Sequence, residues 1–256
     1  MDLLGLMRVK NEEDFIEEVL LAQSFCDKIV VLNNHSTDRT KEICQSFSNV
    51  DVIDTPFPEV SNWVNEGQEK GFLCEQAVQY NPQWICQMQG DEVLEPETYQ
   101  KIRSALSDKT VECIETHFLT YWNDEYTLRV DGHFSASYRQ SFWRFPAGNL
   151  TYDFCHCSLP QQLASVPKSR FNVALWHLGG LQASRRMNRA NLYKSIDPDR
   201  KFSNYEIMIQ GDDGGPDKNI NITGEPFKLQ SVDDFLDSVG NIYSKRVPKN
   251  YFGVKV

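Results

Sequence analysis

The sequence predicts an α/β protein: a doubly wound, mostly parallel sheet followed by a smaller mixed or antiparallel region. Three observations predict it. From Leu3 to Leu106, apolar runs alternate with segments of helical period. The runs in that stretch are continuous rather than alternating, as strands covered on both faces are. Beyond Val111 the pattern changes to alternating, aromatic-rich segments with an Asp131-Gly132 turn signal.

Leu3 to Val9 reads as the first strand. Asn11 is the expected cap of a helix, with Glu12, Glu13 and Asp14 in a first turn that favours anions. Phe15, Ile16, Val19 and Leu20 make its buried face. Lys28 to Leu32 is the second strand and Asn33 to Thr37 a polar loop. The next helix turns Ile43, Cys44 and Phe47 inward. Val50 to Ile53 is the third strand, closed by Thr55-Pro56-Phe57-Pro58. A third helix runs from about Asn65 to Tyr80 and buries Phe72, Leu73 and Ala77. The fourth strand starts at Trp84 and ends at Asp91. A Pro96-led helix follows, with Tyr99, Ile102 and Leu106 on one side.

In the second half, Val111 to Trp122, Tyr126 to Val130, Ser137 to Phe145 and Leu150 to Cys155 read as mixed or antiparallel strands. Phe171 to Trp176 is a further strand, ending at His177-Leu178-Gly179-Gly180. A basic helix spans about Ala183 to Ser195. Asp197 to Pro226 reads as a long surface loop, and Val232 to Tyr243 as a terminal helix. Right-handed crossovers make the first half parallel.

The chain has 256 residues, 40% hydrophobic, enough for one sizeable core. Its net charge of −10 lacks the basic footprint of a nucleic-acid binder. An anionic substrate must therefore be met by a metal or a local basic patch. No run approaches the roughly 20 apolar residues of a membrane span, and the N-terminus lacks a signal-peptide pattern. Seven scattered cysteines point to reduced thiols and a cytoplasmic protein. Cys155-His156-Cys157 lacks the second pair that structural zinc requires. A glycan at the Asn34 sequon would obstruct the loop after the second strand.

Chemistry concentrates at the carboxyl ends of the strands, where open α/β sheets bind ligands. Asp91 and Glu92 arrive there together. Such a pair suits a hard divalent cation, Mg²⁺ or Mn²⁺, or decorates a helix N-terminus. Arg8 to Glu12, Asn33 to Asp38, the start of the third helix near Lys70, and Gln89 to Glu92 converge on the same edge.

Arg8-Val9-Lys10-Asn11-Glu12-Glu13, then Ile29 through Asn33-Asn34-His35-Ser36-Thr37-Asp38-Arg39-Thr40, then Trp84-Ile85 leading to Gly90-Asp91-Glu92, resembles glycosyltransferase family 2. The resemblance covers about residues 2–106 and thins to scattered matches between Tyr138 and Tyr193. It implies the GT-A fold and inverting transfer of a sugar from a nucleotide-sugar donor to a hydroxyl acceptor such as a glycan. Residues 1–108 would be the nucleotide-sugar-binding half of a single domain, 109–195 its acceptor-side half, and 196–256 a loop and terminal helix.

The resemblance further implies that Val9 and Glu12 line the nucleobase and ribose pocket. Asn33 and Asn34 stand where the family carries Asp that grips the base, and Asp38 shapes that pocket. Lys70 would approach the diphosphate. Asp91 matches the metal-binding Asp of the Asp-x-Asp signature, and Gln89 replaces its first Asp. Gln89 can still bond a ribose hydroxyl, and the two Asn can still accept from a base N–H, less strongly than a carboxylate. These replacements leave open a catalytically degenerate nucleotide-sugar-binding module. A nucleotidyltransferase is the other alternative, but it would carry a Gly-rich loop after the first strand.

Inversion needs a general base for the acceptor hydroxyl. Asp153, among aromatic residues, is the leading candidate; Asp131, Glu115 and Asp124 follow. His177 either contacts the metal or diphosphate or is a core-edge histidine packed on Trp176. Arg185 and Arg189 share a helix face and, with Arg186, either bind diphosphate or an anionic acceptor or form a solvated face. Arg139 and Arg144 have the same two readings on a strand.

Overall fold

The computed structural model describes residues 1–59, 63–95, 99–134, 137–146, 148, 150–152, 159–196, 198–199, 205–209, 227–240 and 243. In chain order the elements are β1 (Leu3–Val9), α1 (Ile16–Ala22), β2 (Lys28–Asn33), α2 (Thr40–Gln45), β3 (Val50–Asp54), α3 (Trp63–Ala77), β4 (Trp84–Gln87), β5 (Glu92–Leu94) and α4 (Tyr99–Ser107). Then come β6 (Cys113–Trp122), β7 (Asp124–Arg129), β8 (Tyr138–Arg144), β9 (Lys168–His177), α5 (Ala183–Ile196), β10 (Leu229–Ser231) and α6 (Val232–Ser238). The chain forms two compact units. One comprises Met1–Thr116 with Arg139–Phe171, the other His117–Tyr138 with Asn172–Val256.

In the first unit β1 lies between β2 and β4, and β3 lies beyond β2, all parallel. β8 joins β4 antiparallel, pairing Trp84 with Arg144 and Cys86 with Phe142. Side chains alternate across a strand, so Leu4, Leu6, Val30, Leu32 and Ile85 share a face. They form one buried cluster with Leu73, Cys74 and Ala77 of α3 and with Trp143. Gly5 has no room for more: a Cβ there would stand 3.1 Å from Ile29 Cγ1. This packing aligns the carboxyl ends of β1, β2, β3 and β4 along one edge.

In the second unit β7 pairs antiparallel with β6 and with β10. Asn123, at φ 69°, turns the hairpin between β6 and β7. Trp176 of β9 stacks on Tyr121 at 5.2 Å. Gly180 is obligatory, because a Cβ would come within 2.1 Å of the Tyr121 carbonyl oxygen. No described helix is long and apolar enough to cross a membrane.

Several sequence expectations are corrected. Asn11 is not a helix cap: it has φ 54°, and α1 begins only at Ile16, with Glu17 and Glu18 in its first turn. β4 ends at Gln87, and Asp91 lies in the turn before β5. Leu150 to Tyr152 is not a strand, and the rest of that expected strand lies outside the described residues. α6 stops at Ser238, short of Tyr243.

Candidate functional site

The site is built on the carboxyl-end edge of the first unit. The loops after β1 and β2 are tied to one another by side chains bonding backbone. Asn11 Oδ1 accepts from the Thr37 N–H at 2.8 Å, and the Asn11 N–H donates to Ser36 Oγ at 3.1 Å. The Glu12 N–H donates to Thr40 Oγ1 at 2.7 Å. Asp38 accepts from the Glu13 N–H at 3.2 Å and the Thr40 N–H at 3.0 Å. Asn11 and His35, at φ 54° and 52°, are the two left-handed residues that let these loops turn toward each other. His35 Nε2 is 2.9 Å from the Phe57 carbonyl, which adds the loop after β3.

Asn33 at the end of β2 donates to Asp54 Oδ1 at 2.8 Å and accepts from the Ser36 N–H at 3.3 Å. Bonds from Asn33 and from Lys41 hold the Asp54 carboxyl below its usual range. Asn33 thus anchors the loop with both ends of its amide. Asn34 lies beside Arg8 and Glu69. With its amide oxygen turned to Arg8, it accepts from Nη2 at 2.5 Å and donates to Glu69 Oε1 at 3.2 Å.

Glu69 was not visible as a site residue in the sequence. It lies one helical turn before Leu73 and is 1% exposed. Its carboxylate accepts from Arg8 Nε and from Thr55 Oγ1, the latter at 3.1 Å. With Asn34, one buried carboxylate gathers the ends of β1, β2 and β3. Its only sequence signal is position: a charged residue on the otherwise apolar i, i+4, i+8 row Glu69–Leu73–Ala77.

The β4 end meets the β1 end through Gly90. A Cβ on Gly90 would stand 2.9 Å from Glu12 Cγ and 3.0 Å from Val9 Cγ1. Gly90 therefore admits the turn that carries Gln89 and Asp91 beside Val9 and Glu12. Asp91 is 3% exposed. Glu92, the second member of the expected acidic pair, is engaged by protein groups. Glu92 accepts from the Gln89 N–H at 2.9 Å and from Arg139 Nη1, which places both Glu92 and Arg139 in the architecture. Among the described residues no three His, Cys, Asp or Glu side chains gather as a metal-ligating group. A single buried carboxylate still fits Mg²⁺ or Mn²⁺, which are often held by one or two carboxylates plus substrate phosphates.

Gln87 Oε1 accepts from the Tyr152 hydroxyl at 2.7 Å. Lys70 lies 5.8 Å from the centre of the Tyr152 ring and pairs with Glu66 at 2.7 Å, only 3% of its side chain exposed. Asp153 and Cys155-His156-Cys157 lie outside the described residues. Glu115, a rival general base, accepts from Gln140 at 2.6 Å and from Arg170 at 3.0 Å. Arg144 donates to the carbonyls of Val111 and Asp108 and covers Trp84, a structural role.

In the second unit His177 Nδ1 lies 3.3 Å from Thr120 Oγ1, and its ring meets Phe118 at 4.9 Å. Arg185 is half-buried on α5. Arg186 is not on a solvated face: it is 2% exposed, donates to Asn123 Oδ1 at 2.7 Å and to the Gly180 carbonyl, and lies over Trp122. Asp131 is taken by Arg129 at 2.9 and 3.0 Å. Asp124 accepts from the Tyr126 N–H at 2.9 Å, a local turn.

Residues 6–162 match the sequence profile of glycosyl transferase family 2. No curated protein matches the sequence. Among solved structures the chain is similar to S. aureus TarS 1-349 in complex with UDP-GlcNAc, with 12% identity and a TM-score of 0.51 over 82% of this chain and 70% of that one. It is also similar to S. aureus TarS 1-349 alone, with 11% identity and a TM-score of 0.50 over 82% and 69%.

Proposed function

Because this chain belongs to glycosyl transferase family 2 and has a GT-A-like fold, we propose that it moves a sugar from a nucleotide-diphosphate donor to a glycan hydroxyl with inversion, assisted by Mn²⁺ or Mg²⁺ at Asp91. That it is a nucleotide-sugar glycosyltransferase follows from the family; the metal, the stereochemistry and the acceptor are the proposal. One observation carries it: Gly90 sets the turn bearing Asp91, a carboxylate 3% exposed, against Val9 and Glu12 at the carboxyl edge of a parallel sheet.

In this proposal Val9, Glu12 and Asn34 face the nucleoside, Asn33 holds their loop in place, and Gln89 bonds the ribose. Lys70, near the Tyr152 ring and paired with Glu66, is the lysine expected from the family resemblance to approach the diphosphate. A divalent ion, when bound, supplies Lewis-acid neutralisation of the leaving diphosphate. Asp153 accepts the acceptor's proton. The acceptor oxygen then bonds to the anomeric carbon as the bond from that carbon to the phosphate oxygen breaks. The electron pair leaves with the nucleoside diphosphate. Asp131, Glu115 and Asp124 already serve Arg129, Gln140 with Arg170, and the Tyr126 N–H; Asp153 is favoured from its sequence setting between Tyr152 and Phe154. Five described cysteines are free and buried, which suits a reducing, cytoplasmic setting.

TarS was solved with UDP-GlcNAc, so UDP-sugars are the first donors to test. A panel of nucleotide-sugars incubated with and without Mn²⁺ should show slow, metal-dependent release of nucleoside diphosphate from at least one member, even without acceptor. Release from none, or release indifferent to chelation, would refute the metal-assisted reading.

A further inference from the structure

We propose that Arg8 is an anion-binding residue of the donor site and that Glu69 is the positioning residue that holds its guanidinium there. The inference rests on the reading of this strand edge as a nucleotide-sugar site.

Arg8 is the polar end of an apolar row. Leu4 and Leu6 of β1 pack in one buried cluster with Leu73 and Ala77 of α3. Arg8 continues that face by strand alternation, and Glu69 continues the helix row one turn toward the N-terminus. The two charged residues meet where the hydrophobic interface runs out, at the carboxyl end of β1.

The exposures are unequal. The Glu69 side chain is 2% exposed and the Arg8 side chain 26%. The anion is therefore buried beneath a cation that reaches the edge. Glu69 also serves Thr55 and Asn34, so it is fixed by neighbours from two other strand ends. Burying a carboxylate is costly unless it is paired and fully bonded, and this one is both. Its consequence is a guanidinium that cannot swing away.

The other cations of this edge differ. Lys10, Arg39 and Lys41 pair with Glu59, Glu42 and Asp54, whose side chains are 59 to 70% exposed. Such surface pairs fix little. Lys70 has its charge covered, at 3% exposure. A lysine also offers a point charge, whereas Arg presents a fork of N–H groups suited to phosphate oxygens. Arg8 commits Nε to Glu69 and Nη2 to Asn34. Among the described residues Nη1 has no partner, so its N–H groups remain for a ligand. In a chain of net charge −10, a held, partly exposed guanidinium is the group a nucleoside diphosphate requires.

The test is calorimetric titration of UDP and GDP, and of uridine and guanosine, into wild-type, Arg8→Gln and Glu69→Gln proteins, with a melting curve for each. Arg8→Gln should bind the preferred diphosphate at least about 10-fold more weakly, as loss of a charge-assisted contact implies. Its affinity for the matching nucleoside should change less than about 2-fold by the same reasoning. Glu69→Gln, with Arg8 intact, should show a smaller loss in the same direction, again confined to the diphosphate. Should Arg8→Gln fail to fold, Arg8→Lys keeps a charge on Glu69 without the fork, and a loss of about 3-fold or more is expected. Diphosphate affinity unchanged in the Arg8 variants overturns the inference alone. Equal losses for nucleoside and diphosphate overturn it too, since a structural collapse would produce them. A wild-type protein that binds neither diphosphate removes both the donor-site reading and this inference.

Discussion

Each unit contains an arginine paired with a buried carboxylate, and the two pairs are built differently. In the second unit Arg129 is wholly buried and bonds both oxygens of Asp131, at 2.9 and 3.0 Å. The rings of Trp122, Phe134 and Phe227 enclose its guanidinium at 4.6, 4.4 and 4.8 Å. Asp131 also accepts from the Lys228 N–H at 3.2 Å, which pins the chain entering β10. In the first unit only the carboxylate is buried; Arg8 keeps a quarter of its side chain exposed. A guanidinium whose faces are covered by rings and whose fork is filled can only hold structure. One whose anchor is buried and whose fork is partly open can also hold a ligand. Pairing alone does not separate the two; coverage of the remaining N–H groups does.

The largest effect that would break this contrast is Arg129→Ala. It leaves Asp131 buried without its partner and should cost about 3–5 kcal/mol of stability, measured by chemical denaturation. A cost near that of a surface pair, about 0–1 kcal/mol, would show that the cage is not structural.

Gly90→Ala should come next. The new methyl meets Glu12 and Val9 at 2.9 and 3.0 Å, and overpacking of that degree costs about 1–3 kcal/mol. The loss should fall on donor affinity as well as on stability, because the displaced atoms are the expected pocket wall. Unchanged donor affinity would detach Val9 and Glu12 from the site.

The smallest effect is pH dependence in the second unit. His117 is buried, with Nδ1 2.8 Å from the Tyr243 hydroxyl and its ring stacked on Tyr138. Burial lowers its pKa below 6.5. Above about pH 6.5 neither folded nor unfolded chain carries the proton, and no stability is lost. As pH falls through that value the unfolded chain binds a proton that the folded chain refuses, so stability declines toward the depressed folded pKa. Asp27, Asp51 and Asp54, whose pKa values are lowered, act separately, around and below their ordinary 3.8. His117→Phe should flatten the slope between about pH 6.5 and 5; a slope unchanged in that variant would assign it elsewhere.

The strands of the first unit were legible because parallel strands covered on both faces read as unbroken apolar runs, as Ile29 to Leu32 do. What the sequence hid was long-range. Asn11 looks like a cap locally, but its side chain bonds Thr37, 26 residues away. Glu92 looks like the second member of an acidic pair, but its side chain is engaged by Arg139, 47 residues on. Glu69 draws its partners from Arg8 and Asn34, 61 and 35 residues distant, and no local pattern announces that meeting. Arg186 belongs to a basic run, and only Trp122 and the Gly180 carbonyl show that it points inward.

The most direct measurement is sugar transfer, or donor hydrolysis, by Asp91→Asn in chelator-treated buffer resupplied with Mn²⁺. The substitution keeps the shape of a side chain that is 3% exposed and removes its charge. Turnover should fall about 100-fold or more, the equivalent of roughly 3 kcal/mol of transition-state stabilisation. The melting temperature should stay within a few degrees, about 1 kcal/mol at this chain length. Near-normal turnover by the folded variant would contradict the assignment of this edge as the metal-assisted donor site.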